Sequence, residues 1–147
     1  QRLSFPIEWI SYARVDVGVK FPDTMTAMID SGCSALWVGI ETFNYKSGRL
    51  AGKAVPPDKV KQALLDWRSK YKQNMLMQAS FIVGLPEETA DTQLETISWL
   101  EQNDVLDFAS FGILGIIDYS EDIDYNSMDY ADYSRNPEKY GFKKVGE

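Results

Sequence analysis

Short apolar runs alternate with amphipathic stretches along most of the chain. The runs have the length of strands, and the stretches between them repeat their apolar residues every three or four positions, as helices do. Strands are predicted over Trp9–Val17, Ala35–Ile40, Met75–Val83 and Phe108–Ile117. This alternation predicts an α/β fold with a parallel sheet of about four strands, right-handed crossovers and helices on one face. The continuous apolar run Ala35–Ile40 also predicts a strand that is buried on both faces.

The predicted helices have recognisable ends. The starts are marked by Asp23, by Pro56-Pro57-Asp58, and by Thr89 or Asp91. Gly32 suits the left-handed position after the first helix, and a loop is expected over Phe43–Val55. The apolar faces predicted for the second and third helices are Val60, Ala63, Leu64, Trp67 and Tyr71, and then Leu94, Ile97 and Leu100.

Composition excludes several classes of protein. The 147 residues suffice for about one domain, and 44% apolar with 25% charged residues is close to the globular average. A net charge of −7 argues against nonspecific nucleic-acid binding, and no apolar run approaches the ~20 residues that span a bilayer. Histidine is absent, and the single cysteine, Cys33, permits neither an internal disulfide nor an all-cysteine metal site. We expect Cys33 to be a core residue.

The composition of the sequence changes after Ile117. Residues 118–132 carry six acidic residues and no lysine or arginine. The stretch from Asp122 imitates the start of an EF-hand loop, but Ser127 and Tyr133 stand where that loop needs glycine and glutamate. A solvated segment is the better interpretation. The chain is therefore divided into residues 1–118, the α/β part, and 119–147, a polar extension.

Polar residues follow the predicted strands. Arg14 and Asp16 lie at the end of the first strand, Glu41 directly follows the second, and Ser80 and Gly84 lie at the end of the third. The carboxyl ends of parallel strands gather the loops that bind ligands. These residues are therefore the candidates for a binding site.

Three motifs carry a family resemblance. Val38–Asn44, Ala51–Lys53 and Ser80–Thr89, in this order, resemble the radical S-adenosylmethionine superfamily. The resemblance covers about residues 8–118 and implies the C-terminal part, about four βα units, of a partial (β/α)6 barrel. The stretch 136–142 is similar to one found in the cobalamin-binding subgroup, which implies that cobalamin is a further cofactor of the full-length protein.

The resemblance implies a role for each matched residue toward S-adenosylmethionine. Glu41 would accept hydrogen bonds from the ribose hydroxyls, and Lys53 would pair with the methionyl carboxylate. Arg14 stands where the family often has an acid, facing the nucleoside or amino-acid moiety, and Ser80 lies near the ribose. The implied adenine contacts are Val83 and Gly84, and backbone groups of the sixth barrel strand including Ile113 and Leu114.

The defining element of that superfamily is missing from this sequence. It is a Cys-x3-Cys-x2-Cys loop that holds a [4Fe–4S] cluster, and a glycine-rich methionyl-binding motif is missing as well. We therefore expect a truncated, cytoplasmic radical enzyme that generates a 5′-deoxyadenosyl radical only in its full-length form. Its partners would be this small-molecule cofactor and an unidentified substrate, without nucleic acid or membrane.

Simpler interpretations stay open. Glu41 and Lys53 also suit a structural ion pair at the strand end, and Arg14 also suits pairing with Asp16 or Glu41. Gly84-Leu85-Pro86 also suits a plain strand-to-helix turn. The alternative function is a non-radical α/β binding protein or enzyme that uses only the sheet.

Overall fold

Four parallel strands form one sheet in which spatial order follows chain order. The computed structural model describes residues 5–53, 55–115 and 136–143. Its elements are β1 (Trp9–Arg14), α1 (Val15–Lys20), α2 (Asp23–Asp30), β2 (Cys33–Glu41), α3 (Tyr45–Leu50), α4 (Pro57–Tyr71), β3 (Leu76–Val83), α5 (Ala90–Asn103), β4 (Phe108–Ile113) and a 3₁₀ turn, Pro137–Tyr140. The acidic segment and the end of the predicted fourth strand lie outside the described residues.

The helices cover one face of the sheet. Its buried strand residues are Leu36, Val38, Ile40, Met77, Ala79 and Phe81, which join a core with Val60, Leu64, Trp67 and Tyr71 of α4. The opposite face is uncovered, and Tyr12 on it is 78% exposed. The predicted parallel sheet with helices on one face is thus confirmed. The prediction that β2 is buried on both faces is wrong for the described residues, because Trp37 and Gly39 on its other face are only partly buried.

The predicted stripe of α4 is confirmed, whereas that of α5 holds only at Leu100, which packs against the core. Leu94 and Ile97 are exposed, and α5 instead turns Thr96 and Trp99 toward the core. The polar Thr96 can be buried because its hydroxyl donates to the carbonyl of Thr92 at 3.0 Å. A spacing of three residues drifts around a helix, so it did not fix which side is buried.

The first strand and the first long loop also differ from prediction. β1 ends at Arg14, and the following residues turn into α1, whose Val15 and Gly18 are buried. The predicted loop 43–55 contains α3, capped by the side chain of Asn44. The alternation of residues on one side of the first strand continues past Arg14, so the predicted strand was too long. The short helix α3 has too few apolar residues to show a helical period.

Residues at the helix ends follow expectation in part. Thr89 caps α5 in a capping box. Asp23 lies in the first turn of α2 and makes no cap, since Pro22 occupies the N-cap position. Gly32 has φ +98° as expected, and a Cβ there would meet the carbonyl oxygen of Ile7 at 1.9 Å. Within the described residues, no helix is long and apolar enough to cross a bilayer.

Asp107 joins the amino ends of β3 and β4. Its carboxylate accepts from the Met77 N–H at 2.8 Å and from Arg68 Nη1 at 2.9 Å. Burial opposes ionisation here, but these hydrogen bonds and the charge of Arg68 outweigh it and lower the pKa of Asp107. This network fixes the edge of the sheet opposite to the carboxyl ends.

Candidate functional site

Small side chains leave space on the uncovered face near the carboxyl ends. Register places Gly39, Ser80 and Ser110 level with Arg14 across the four strands. The level below is bulky, with Trp37 of β2 stacked on Tyr12 of β1 at 5.5 Å between ring centroids. The aromatic level therefore forms a floor beneath a level of small residues.

Glu41 and Lys53 meet directly above this space. Lys53 Nζ lies 3.2 Å from Glu41 Oε1, and the two side chains are only 15% and 20% exposed. Lys53 Nζ also donates to the carbonyl of Gly39 at 3.1 Å. Glu41 has φ +70°, where the register of β2 with β3 becomes irregular. The structure thus brings together the two side chains that the sequence singled out.

The ion pair does not use all the bonding capacity of its two groups. Lys53 has three N–H donors, of which the described residues take two, and Glu41 Oε2 has no described partner. A donor and an acceptor therefore remain side by side. The structural ion pair considered above is present, and contact with a ligand stays a prediction.

Arg14 pairs with Asp16. Its Nε and Nη2 donate to the two carboxylate oxygens, each at 3.0 Å, and Nη2 also reaches the carbonyl of Gly52 at 3.4 Å. The hydrogen bonds and charge of Asp16 raise the pKa of Arg14, and the hydrogen bond from Arg14 lowers the pKa of Asp16. Of the two structural partners considered, Asp16 is the one bonded. This pair links the end of β1 to the segment that carries Lys53.

A half-buried carboxylate, that of Glu88, joins the loop after β3 to the loop after β2. The hydroxyl of Thr42 donates to one oxygen of Glu88, and Gln93 Nε2 donates to the other. Gln93 Nε2 also donates to the carbonyl of Ile82 at 3.2 Å. Burial raises the pKa of Glu88, and the hydrogen bond from Thr42 partly offsets the rise.

Backbone carbonyls strengthen the same connection. Ser47 Oγ donates to the carbonyl of Pro86 at 2.7 Å, and Asn44 Nδ2 donates to that of Glu87 at 3.1 Å. Both donors belong to α3 or its cap. The two loops that carry the candidate residues are therefore held at a fixed separation.

The residues predicted to contact adenine lie at the ends of β3 and β4. Val83 pairs with Ile113. By the alternation of side chains along a strand, both side chains point to the face that the helices cover, so only the backbone of these residues can face the open side. The Leu114 N–H donates to the carbonyl of Val83 at 2.8 Å and is already used. Gly84 has φ +92°, which glycine adopts without strain. The turn interpretation of Gly84-Leu85-Pro86 is consistent with this geometry, and adenine contact stays a prediction.

The described residues do not fit an iron–sulfur cluster. Cys33 is a core residue, as predicted, and its Sγ lies 3.4 Å from the carbonyl of Ala35. Burial raises the pKa of this thiol, which disfavours the thiolate that binds metal. Over residues 5–53, 55–115 and 136–143, no three His, Cys, Asp or Glu side chains are grouped to hold a metal ion.

Comparison with solved structures gives the fold its context. Coproporphyrinogen III oxidase (HemN) of Escherichia coli, described as a radical SAM enzyme, matches with TM-score 0.62 and 17% identity, over 75% of this chain and 24% of that one. The chain has the fold of part of a radical SAM core. The predicted barrel segment is thereby confirmed at the level of fold. OxsB, a cobalamin-dependent S-adenosylmethionine radical enzyme, shares this radical SAM fold with TM-score 0.53 and 18% identity, over 95% of the chain and 19% of OxsB.

Sequence comparison gives a weaker relationship. An uncharacterized methyltransferase of Pyrococcus horikoshii is 29% identical over 108 residues, which are 73% of this chain and 22% of that protein. No protein-family model matches the chain. The chain thus spans less than a quarter of the length of each of these three proteins.

Sequence reasoning missed several residues of this site. Gly39, beneath the Glu41–Lys53 pair, was given no role, and neither were Glu88 and Gln93. For Glu88 the sequence offered one signal, a carboxylate between a proline turn and a helix cap. A carboxylate that is removed from water at such a position needs hydrogen-bond partners. Gly39 could have been noticed as a glycine within an apolar strand, which marks a close approach of other atoms.

Proposed function

We propose that this chain is the later part of the radical SAM barrel of a longer enzyme and contributes part of its S-adenosylmethionine site. The observation that carries the proposal is the pairing of Glu41 with Lys53 above a space lined by Gly39 and Ser80. A carboxylate and an ammonium with unused bonding capacity match a ligand that presents hydroxyls and a carboxylate. The radical SAM fold supports placing that ligand at this edge.

Each side chain has a part in holding the ligand. Glu41 Oε2 accepts from a ribose hydroxyl, and the remaining N–H of Lys53 donates to the methionyl carboxylate. Ser80 donates or accepts at the ribose, and Gly84 lets the adenine approach the backbone. Arg14, already paired with Asp16, orients the Gly52–Lys53 segment rather than binding the ligand as its main contact.

The radical chemistry belongs to the cofactors. When bound together, S-adenosylmethionine and a reduced [4Fe–4S] cluster supply a 5′-deoxyadenosyl radical. The cluster ligands come from outside this chain, because Cys33 lies in the core. The residues described here bind and orient the nucleoside, and the chain alone is inactive.

The finer assignment is to the cobalamin-binding subgroup, in a cytoplasmic enzyme. OxsB, which depends on cobalamin, shares the fold over 95% of this chain, and the curated relative is described as a methyltransferase. These likenesses support cobalamin as a second cofactor of the parent enzyme. The partners are small molecules, and the acidic composition supports neither a nucleic acid nor a membrane as partner.

Reconstitution tests the proposed function. The isolated chain and the longer parent protein are each treated anaerobically with iron and sulfide, and bound iron, absorbance and 5′-deoxyadenosine formation are measured. We expect a cluster and 5′-deoxyadenosine from the parent and neither from the chain, since one buried thiol cannot replace three ligands. A parent that binds S-adenosylmethionine without any cluster would instead support the non-radical alternative.

A further inference from the structure

Gly39 lies directly beneath the Glu41–Lys53 pair. A Cβ built on Gly39 would lie 2.9 Å from Glu41 Oε1 and 3.5 Å from Lys53 Nζ. The first distance is shorter than real Cβ contacts, and the Gly39 carbonyl itself accepts from Lys53 at 3.1 Å. One residue therefore supplies both the space for the carboxylate and an acceptor for the ammonium group.

Backbone conformation does not explain this glycine. Gly39 lies within β2, paired with Arg14 and Ser80, and it is not among the glycines with positive φ. Any residue could adopt its backbone, and glycine weakens a strand interior relative to alanine by about 0.5–1 kcal/mol. What the absence of a side chain at position 39 provides is therefore space, and the Glu41 carboxylate occupies that space.

The conformation of Glu41 supports the same conclusion. A non-glycine residue with φ +70° is strained, and such strain persists only where surrounding contacts determine it. The contacts formed are those of its carboxylate, which lies back over Gly39 and pairs with Lys53. The backbone strain at Glu41 and the missing side chain at Gly39 thus both allow the Glu41 carboxylate to lie over β2 and pair with Lys53.

We propose that Gly39 is a positioning residue that holds the Glu41 and Lys53 side chains ready for the ligand. This inference rests on the proposed S-adenosylmethionine site. A methyl group at position 39 displaces the carboxylate of Glu41 and separates it from Lys53. Gly39→Ala should therefore weaken S-adenosylmethionine binding by about 10- to 100-fold, the loss expected for a charge-assisted contact.

The test uses a double-mutant cycle in the reconstituted parent protein. The variants are Gly39→Ala, Glu41→Ala and the double variant, with Ser34→Ala as control. Ser34 lies near the amino end of the same strand, β2, opposite to the end that carries Glu41. Equilibrium binding of S-adenosylmethionine and the urea midpoint of unfolding are measured for each.

The proposal predicts non-additive effects. In the Glu41→Ala background the clashing oxygen is gone, so Gly39→Ala should weaken binding no further. It should also raise the urea midpoint slightly, because alanine stabilises a strand interior by about 0.5–1 kcal/mol relative to glycine. The Ser34→Ala control should bind like the parent. If the single Gly39→Ala variant does not fold but the double variant does, the clash with Glu41 is supported as well.

Other outcomes would refute the positioning role of Gly39, and each points to a different cause. Effects of Gly39→Ala and Glu41→Ala that simply add, or failure of both Gly39 variants to fold, would mean that β2 itself requires glycine. Weakened binding for Glu41→Ala together with normal binding for Gly39→Ala would refute the positioning role and leave the ligand site intact. Normal binding for Glu41→Ala would refute the proposed site, and the role of Gly39 with it.

Discussion

Lys53 and Glu41 form a contact of 3.2 Å between Nζ and Oε1, although they lie on opposite sides of α3 in the sequence. The contact closes the segment that runs from the end of β2 through α3. The Gly48 carbonyl reinforces it by accepting from the Lys53 N–H at 2.7 Å. The position of the ammonium group is therefore set by the fold before any ligand arrives, which reduces the entropy lost on binding.

The first prediction concerns Glu88. A raised pKa means that the folded state holds the proton more tightly than the unfolded chain does. The stability contributed by Glu88 is therefore full below the ordinary glutamate pKa of about 4.3 and is lost as the pH rises through the folded-state pKa. Glu88→Gln should remove this pH dependence, as measured by urea unfolding of the parent protein between pH 4.5 and 7.5.

Glu88→Ala is the companion variant. A glutamine at 88 can still accept from Gln93 and donate to Thr42, whose hydroxyl oxygen is an acceptor as well as a donor. Alanine removes both bonds and should lower the free energy of unfolding by about 1–3 kcal/mol at either pH. Equal stability of Glu88→Ala and the parent would show that the connection between the two loops contributes nothing.

A second prediction has the opposite sign and concerns Asp107. Its lowered pKa gives stability that is present above the ordinary aspartate pKa of about 3.9 and lost as the pH falls through the lower folded-state value. Asp107→Ala leaves the Met77 N–H without its acceptor and should cost about 1–3 kcal/mol at pH 7. Urea unfolding should show this difference shrinking between pH 5 and 3, and a constant difference would contradict it.

The third prediction concerns the uncovered face of the sheet. Ile10, Tyr12, Leu76 and Phe108 are all more than half exposed on it. Exposed apolar surface beside an open strand edge favours association, so the isolated chain should self-associate. Tyr12→Lys should reduce that association, as measured by sedimentation over a range of concentrations, whereas Tyr45→Lys on α3 should not. A monomeric isolated chain at all concentrations would refute the prediction.

The sequence predicted the elements whose apolar residues recur with a regular period. It missed those that depend on tertiary contacts. The stripe of α4 shows a clear period because Val60, Leu64 and Trp67 all face one core. The short helix α3 exists because Asn44 caps it and Ser47 bonds to Pro86, contacts that no local period encodes. Leu94 is exposed although it shares a spacing of three residues with Leu100, which packs on the core, because that spacing drifts around a helix.

The candidate site was predicted by type but not by arrangement. Glu41 was found because a charge directly after a buried strand needs a partner, and Lys53 was found through the resemblance. Their direct pairing was left open beside ligand contact. Two features decide it, the left-handed backbone of Glu41 and the space over Gly39. Only the second has a signal in the sequence, a glycine within an apolar strand.

Equilibrium binding of S-adenosylmethionine to the reconstituted parent protein measures whether Lys53 contacts the ligand. The variants are Lys53→Ala, Lys53→Arg and the control Lys46→Ala, which removes an exposed lysine of α3 without an ion pair in the described structure. We predict about 10- to 100-fold weaker binding for Lys53→Ala with an unchanged cluster spectrum, partial retention for Lys53→Arg, and no change for Lys46→Ala. Equal binding by Lys53→Ala and the parent would show that Lys53 does not pair with the methionyl carboxylate.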